Sequence, residues 1–465
     1  MTANLRIGSG SGYWGDMVDP AVELIEKGDI RYACFDLLAE LTVALLTRSK
    51  MRDPAKGHIP DVEQILRQVL PPARRNEVGI ITNGGGANPS AAALVAARVA
   101  REIGHPDTRI GTIEGDDLTG RLDEIRATGW KFTHLESGEE DIDRIADRIV
   151  AVSTYTGSEG IIEALDGDAQ VVIGGRLADS ALYCGPLMRH FGWKFDADDW
   201  ELIGAALTVG HVLECAGIAS GGMSSQWRLS HEPWRLGFPM AEVSEDGTAV
   251  VSKLPGTGGV LNEWTIKEHL LYEVHDPFSY LLPDGVVDMA GVEVTELGPD
   301  RVRLTGMSGR RRPDTLKVQI GYEDGYLAEG RTMFPWPDAL EKADFCEQLV
   351  RRRIAHLGVE PEEMRFDRVG WDALAGPVAP RPAPDAQPNE VELRMVARCR
   401  TRREAEVARR AMLLPATAGP VGTAFGAPLA VRKIVALWPT LVPRDLVPQR
   451  VRVDTAKELL DAHRS

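Results

Sequence analysis

The sequence predicts an α/β protein, with a parallel, helix-covered N-terminal sheet over residues 1–224 and an α+β domain with a largely antiparallel sheet over residues 225–465. Three observations carry that expectation. Up to about Gly222, short apolar runs end in Gly, Asn or Asp and give way to Ala-, Leu- and Glu-rich stretches with helical spacing, which is the rhythm of βα units. After about Ser225 the runs alternate or turn β-branched, separated by turn pairs such as Asp246-Gly247 and Pro299-Asp300. A chain of 465 residues is also too long for one ordinary core, so two domains are the default.

In order along the first part, strands are expected at Leu5–Gly8, Tyr32–Phe35, Val78–Thr82, Arg109–Glu114, Lys131–Leu135 and Val171–Gly174. Helices are expected near Met17–Lys27, Leu37–Ser49, Val62–Leu70, Pro89–Ile103, Leu118–Thr128, Asp141–Ala151 and Ala178–Phe191. Parallel strands need right-handed crossovers, so the loops after their carboxyl ends gather on one edge of the sheet. In the second part, strands are expected at Thr248–Lys253, Val292–Thr295, Arg301–Thr305 and Leu316–Tyr322, with helices at Ala339–Leu357 and Arg403–Ala411. Gly376–Pro388 carries five prolines and reads as an exposed loop, and the tail from Thr455 reads as a short terminal helix.

Charge and cysteine usage narrow the function classes. Lys and Arg number 53 against 69 Asp and Glu, and a net charge of -16 argues against a nucleic-acid partner. The basic runs Arg310–Arg312 and Arg351–Arg353 lack interleaved aromatics and read as solvated faces. Cys34, Cys184, Cys215, Cys346 and Cys399 are far apart with no C-x-x-C pair, which fits a reducing compartment and gives no metal motif. No basic-then-apolar leader opens the sequence, and no window approaches the ~18 apolar residues of a membrane span, so a cytoplasmic protein without a membrane partner is expected.

Thr82-Asn83-Gly84-Gly85-Gly86-Ala87-Asn88-Pro89 is the strongest local signal, following an apolar run and opening an alanine-rich helix. Glycines remove the Cβ that blocks close approach, so Asn83 and the amides of Gly84, Gly85 and Gly86 are candidates for binding a carboxylate or phosphate. The competing reading is a tight βα turn that binds nothing. Gly8 to Gly12 also follows a strand; with Gly10, Gly12 and Gly15 it meets the dinucleotide pattern, and Asp36 is placed to hold a ribose. Bulky Tyr13 and Trp14 count against a nicotinamide cofactor and for a general acid or phosphate site at Gly10 and Gly12.

Gly115-Asp116-Asp117 and Gly174-Gly175-Arg176-Leu177-Ala178-Asp179 end two further predicted strands. Arg176 is a candidate anion clamp, with Asp116 or Asp179 orienting it or accepting a proton; an i,i+3 structural pair of Arg176 and Asp179 is equally compatible. His211 and Glu214 share a face if their segment is helical, and Glu214 is a candidate general base. Cys215 beside it reads as packing before nucleophile. Lys253 with the loop Gly256-Thr257-Gly258-Gly259 forms a second glycine-rich candidate, in which Lys253 faces an oxyanion and Thr257, Gly258 and Gly259 add hydrogen bonds. A hairpin with an ordinary lysine is its plain alternative.

In order, IGSGSGYWGD, ITNGGGANP, GDDL, the Tyr155-Thr156-Gly157 turn, IGGRLADS, HVLECAG, SGG, GFPMAEV, SKLPGTGG and HLLYEVHDP resemble the AtuA family of acyclic terpene utilisation. The resemblance runs on through TAGPVGTAFGAP and LWPTLVPRDLV, and so spans most of the chain. It implies a role in the catabolism of citronellol- and geraniol-like compounds, where neighbouring enzymes process branched acyl-CoA thioesters. The expectation is therefore a catabolic enzyme, a lyase or hydratase, acting on a small branched carboxylate or an acyl-CoA, with CoA as part of the substrate. A noncatalytic acyl-CoA-binding subunit is the second reading and an oxidoreductase the third. Many members carry a small C-terminal module, so a separate small protein supplying it is an expected partner, as is a second copy of the chain in a homo-oligomer.

Overall fold

A computed structural model describes residues 4–380, 383, 387–426 and 429–463. The chain forms two compact units, Met1–Gly321 with Leu437–Ser465, and Tyr322–Ala436. The boundary expected after residue 224 is not where the chain divides, because the strands on its far side complete the same sheet.

That sheet has ten strands. In spatial order they are Glu293–Gly298, Arg301–Thr305, Ala249–Lys253, Pro239–Val243, Leu5–Ser11, Tyr32–Phe35, Gly79–Thr82, Val171–Gly174, Arg109–Glu114 and Arg450–Thr455. The five from Leu5–Ser11 to Arg109–Glu114 are parallel, and both flanks are antiparallel. Mixed order of this kind keeps the buried, continuously apolar strands central and puts alternating ones at the margins. Val171–Gly174 is buried throughout, whereas Arg301–Thr305 alternates exposed Arg301 and Arg303 with buried Val302 and Leu304. The α/β class is as predicted, and the ends of the parallel strands lie within three residues of their expected positions.

Two expected elements are replaced, and one long helix appears where none was expected. Lys131–Leu135 is irregular, tied instead by Trp130 Nε1 donating to the Leu441 carbonyl and Leu135 N to that of Pro439. The helix expected over Asp141–Ala151 is two short 3-10 turns followed by the strand Ile149–Thr154, whose β-branched IVAVST outweighs the charged stretch before it. Trp200–Glu214, one unbroken helix, is buried on nearly every side from Ile203 onward, so no amphipathic stripe marks it in the sequence.

That helix packs between the large sheet and a three-stranded sheet of Ser308–Arg310, Gly285–Asp288 and Tyr280–Leu282. Contact is close at Gly204, where an added Cβ would stand 2.4 Å from the Gly309 amide nitrogen. The cysteines are all free, and Cys34 and Cys184 are buried.

In the second unit, Glu363–Val369, Glu390–Cys399 and the part of Thr315–Pro335 from Tyr322 onward form an antiparallel sheet. Helices Ala339–His356 and Arg402–Ala411 cover it through Val350, Ile354, Ala405 and Ala408 against Met395 and Ala397. Side chains alternate along each strand, so its other face carries the ion-pair ladder Arg331, Glu329, Arg394 and Asp367. The proline-rich Gly376–Pro388 lies partly outside the described residues. No helix among those residues is long and apolar enough to cross a membrane.

Candidate functional site

Since neighbouring parallel strands end on one edge, Ser11, Asp36, Asn83, Arg176 and Asp116 follow their strands onto that edge together. Asn83 is fully buried: its Oδ1 accepts from the Leu37 amide at 2.8 Å and its Nδ2 donates to Asp36 Oδ1 at 2.6 Å. Asp36 is itself buried; desolvation, reinforced by the charge of Asp179, pushes its carboxyl well above the ordinary range.

The glycine run after Asn83 is packed solid. Gly84 N donates to Thr82 Oγ1 at 2.9 Å and Gly86 N to the Asn83 carbonyl at 3.1 Å, and a Cβ on Gly85 would stand 2.5 Å from the Gly174 carbonyl oxygen. Asn88 caps the following helix. Here glycine serves close approach between two strand ends, and the Gly84 and Gly86 amides expected to face an anion already have protein acceptors.

The other two glycine loops show the same state. Gly12 N donates to Asp16 Oδ2 at 2.8 Å, and its missing Cβ would lie 2.7 Å from the Cys215 main chain, while that of Gly10 would meet the Phe35 ring. The Lys253 side chain, expected to face an oxyanion, is wholly buried; its Nζ pairs with Asp300 at 2.9 Å and donates to the Thr257 carbonyl at 3.0 Å. Thr257 Oγ1 donates to the Leu254 carbonyl, and Gly258 N and Gly259 N donate to those of Arg235 and His231.

Polar groups remain open a few ångströms on, where Gly175–Asp179 meets the end of the buried helix. Arg176 is 2% exposed, with its Nη1 donating to Asp179 Oδ1 at 2.6 Å and its guanidinium stacked 4.1 Å from the Tyr155 ring centre. Its amide donates to Asp116 Oδ2 at 2.7 Å. Asp116 is thereby fixed as a holder of the turn, and burial pushes its carboxyl up to about 6. Arg176 Nε and the Tyr155 hydroxyl are buried without a hydrogen-bond partner.

A cavity of about 540 Å³ opens beside them. Its charged and polar wall is Glu40, Tyr155, Asp179, Glu214, Glu273 and Lys317, and its apolar wall includes Leu281, Leu282, Pro313 and Leu316. Of the predicted residues, Asp179 and Glu214 line it, Arg176 stands directly behind it, and Asp116 and Asn83 brace it from the sheet edge. The lining does not include Gly10, Gly12, Gly84, Gly85, Gly86, Lys253, Thr257, Gly258 or Gly259.

Glu214 is the best-defined proton-handling group. His211 Nε2 lies 3.1 Å from the His269 carbonyl oxygen, which only accepts, so Nε2 carries a proton. His211 Nδ1 then meets Glu214 Oε1 at 3.1 Å, and that contact needs one further proton, held by either partner. Burial pushes the Glu214 carboxyl up to about 7, opposed by the hydrogen bond and charge of His211. For His211 burial acts downward, but the hydrogen bond to Glu214 and its charge outweigh it and the imidazole is raised. The pair therefore exchanges its shared proton near neutral pH.

Sequence reasoning found this pair by its i,i+3 spacing. It missed Tyr155, Lys317, Glu40, Glu273 and Tyr280 as cavity residues, because they come from distant segments with no shared motif. Tyr155 left a trace as the first residue of the Tyr155-Thr156-Gly157 turn, and Glu273 as part of HLLYEVHDP. Among the described residues, no group of three or more His, Cys, Asp or Glu is disposed to hold a metal ion.

No curated protein and no solved structure matches the chain. The family model described as acyclic terpene utilisation family protein AtuA matches residues 5–453. The chain therefore belongs to the AtuA family, which is implicated in the catabolic use of acyclic terpenes.

Proposed function

We propose that the protein is a catabolic enzyme of the lyase or hydratase type that acts on a small branched acyl compound in the Glu214 cavity. The observation that carries this reading is a buried carboxyl on a cavity wall, hydrogen-bonded to a buried imidazole and poised near pH 7. Addition or removal of water across a carbon–carbon bond needs one group to take a proton from carbon and another to give one to oxygen. Two carboxyls in different environments meet that need. Asp179 is held by the Arg176 guanidinium, and Glu214 is held by His211.

For a β-hydroxyacyl substrate the dehydration balances as follows. Asp179 takes the proton from the α-carbon, and the C–H electron pair moves toward the acyl carbonyl. The pair then forms the double bond as the β C–O bond breaks. The departing hydroxide takes the Glu214 proton and leaves as water. The apolar wall of Leu281, Leu282 and Leu316 suits the branched hydrocarbon end of such a molecule.

The test is mass-spectrometric detection of product with branched β-hydroxy acids and their thioesters, comparing the wild type with Glu214→Gln. The Gln variant is expected to lose at least about 100-fold in rate with the fold intact, the usual worth of a general acid. Binding of these compounds without conversion by the wild type would favour the noncatalytic acyl-binding subunit instead.

A further inference from the structure

We infer that the amino-terminal edge of the parallel sheet carries a second ligand site, apart from the Glu214 cavity, which takes a small organic anion by its carboxylate or phosphate head.

Parallel strands that end together also begin together, so the residues just before Tyr32–Phe35, Gly79–Thr82 and Val171–Gly174 share the edge opposite the Glu214 cavity. A cavity of about 360 Å³ opens there. Arg31 reaches it from a strand start, Arg74 from the last turn of the helix Val62–Arg75, and Arg189 from the last turn of the helix Ala181–Phe191. Its acids are Glu77 and Asp168, and part of its wall is apolar, with Leu70, Val78 and Leu165. Three guanidiniums against two carboxylates leave this lining positive, in a chain whose net charge is -16.

Arginines in a last helical turn have an ordinary role, which is to face the terminal carbonyls and the negative end of the helix dipole. Arg189 fits that role, with its Nε also donating to Asp166 at 3.0 Å. Arg31 Nη1 donates to the Glu77 carbonyl at 2.7 Å. Arg74 is different. Its side chain is 17% exposed, its Nε is enclosed without a hydrogen-bond partner, and its one ion pair among the described residues is a 3.6 Å contact with the largely exposed Asp107. The carbonyls that it could cap are already used, since Pro72 O accepts from Asn76 N and Ala73 O from Val78 N. An enclosed N–H with no acceptor weighs against the fold, so Arg74 is not there as a helix cap.

The missing acceptor has a definable chemistry. A guanidinium is matched by the paired oxygens of a carboxylate or phosphate, and no hydrogen bond opposes the small rotation that turns Arg74 toward such a pair. Arg31 and Arg189 add positive charge around the same space. A bare inorganic ion would leave the side of the cavity formed by Leu70, Val78 and Leu165 unused, so the head belongs to a molecule with an apolar body.

The experiment is titration calorimetry of phenyl phosphate, benzoate and phenol against the wild type, Arg74→Met and Arg31→Met at one ionic strength, with the thermal midpoint of each protein measured alone. At least one of the two anions should bind the wild type, and the tighter one names the head. Phenol, a similar ring without the oxyanion, should not bind. Arg74→Met should weaken the anion at least about tenfold, and Arg31→Met should weaken it less. Because the Arg74 Nε has no acceptor within the protein, Arg74→Met alone should keep its thermal midpoint or raise it. Folded wild type that binds neither anion at millimolar concentration, phenol binding as tightly as the anions, or an anion affinity unchanged in Arg74→Met overturns the inference. If Arg74→Met has a lower midpoint, Arg31→Met decides, and unchanged affinity in that variant overturns it.

Discussion

At the turn Asn83–Gly86, the Asn83 side chain and the amides of Gly84 and Gly86 have protein partners. At the neighbouring turn Gly175–Asp179, on the same sheet edge, Arg176 Nε and the Tyr155 hydroxyl have none, and a cavity lies alongside. The difference teaches that glycine content measures how closely two backbones approach, and only sometimes how closely a ligand does. The glycine turn acts as the platform that fixes Asp36 and the strand ends, and the groups with remaining capacity stand on it.

Substitutions on the two sides should therefore behave differently. The largest effect is expected for Arg176→Ala, which leaves Asp36 and Asp179 beside a buried gap without their guanidinium. Asp179 is partly exposed but Asp36 is buried, so loss of the buried guanidinium should cost about 3 kcal/mol and the urea midpoint should fall. A midpoint shift worth less than about 1 kcal/mol would show that these carboxyls do not depend on Arg176.

Next comes Lys253→Met, on the platform side. Removing the buried ammonium leaves the partly exposed Asp300 and the Thr257 carbonyl without their donor, a change worth about 1–3 kcal/mol of stability. Thioester affinity should stay within about twofold by calorimetry. A tenfold loss of affinity at unchanged stability would return Lys253 to the site. Gly85→Ala is similar, because its methyl must push strand ends apart at a cost of about 1–3 kcal/mol. Its thermal midpoint should drop without any change in binding.

The smallest effect is the pH dependence of stability. Glu214 has an ordinary value of 4.5 and stands at about 7 in the fold, so between these values the folded state holds a proton that the unfolded chain has released. Stability contributed by the protonated carboxyl is thus complete below pH 4.5 and is lost as pH rises to about 7. His211, also raised, acts with the same sign. Relative to Glu214→Gln, the wild type should lose about 1–2 kcal/mol between pH 5 and pH 8 in urea titrations. A parallel pair of curves would mean that Glu214 is not held protonated.

The parallel strands were legible because each is a short apolar run ended by Gly, Asn or Asp, a pattern set by burial on both faces. The helix Trp200–Glu214 was not, because a helix apolar on every side has no period to read. The strand Arg450–Thr455 escaped for another reason: its partner, Arg109–Glu114, lies more than three hundred residues away in the sequence. At the site, Arg176, Asp179 and Glu214 stood out by charge at strand and helix ends. Lys317 and Tyr280 did not, since an alternating strand shows which side chains share a face but not what that face looks upon.

The central claim is that Glu214 and Asp179 move protons to and from a bound acyl group. Its most direct test is exchange of the α-hydrogens of β-hydroxyisovaleryl N-acetylcysteamine thioester in D2O, followed by mass spectrometry. The wild type should incorporate deuterium at the α-carbon and release the unsaturated thioester. Asp179→Asn should do neither, and Glu214→Gln should exchange hydrogen while failing to release water. Exchange and release at wild-type rates in both variants would contradict the claim.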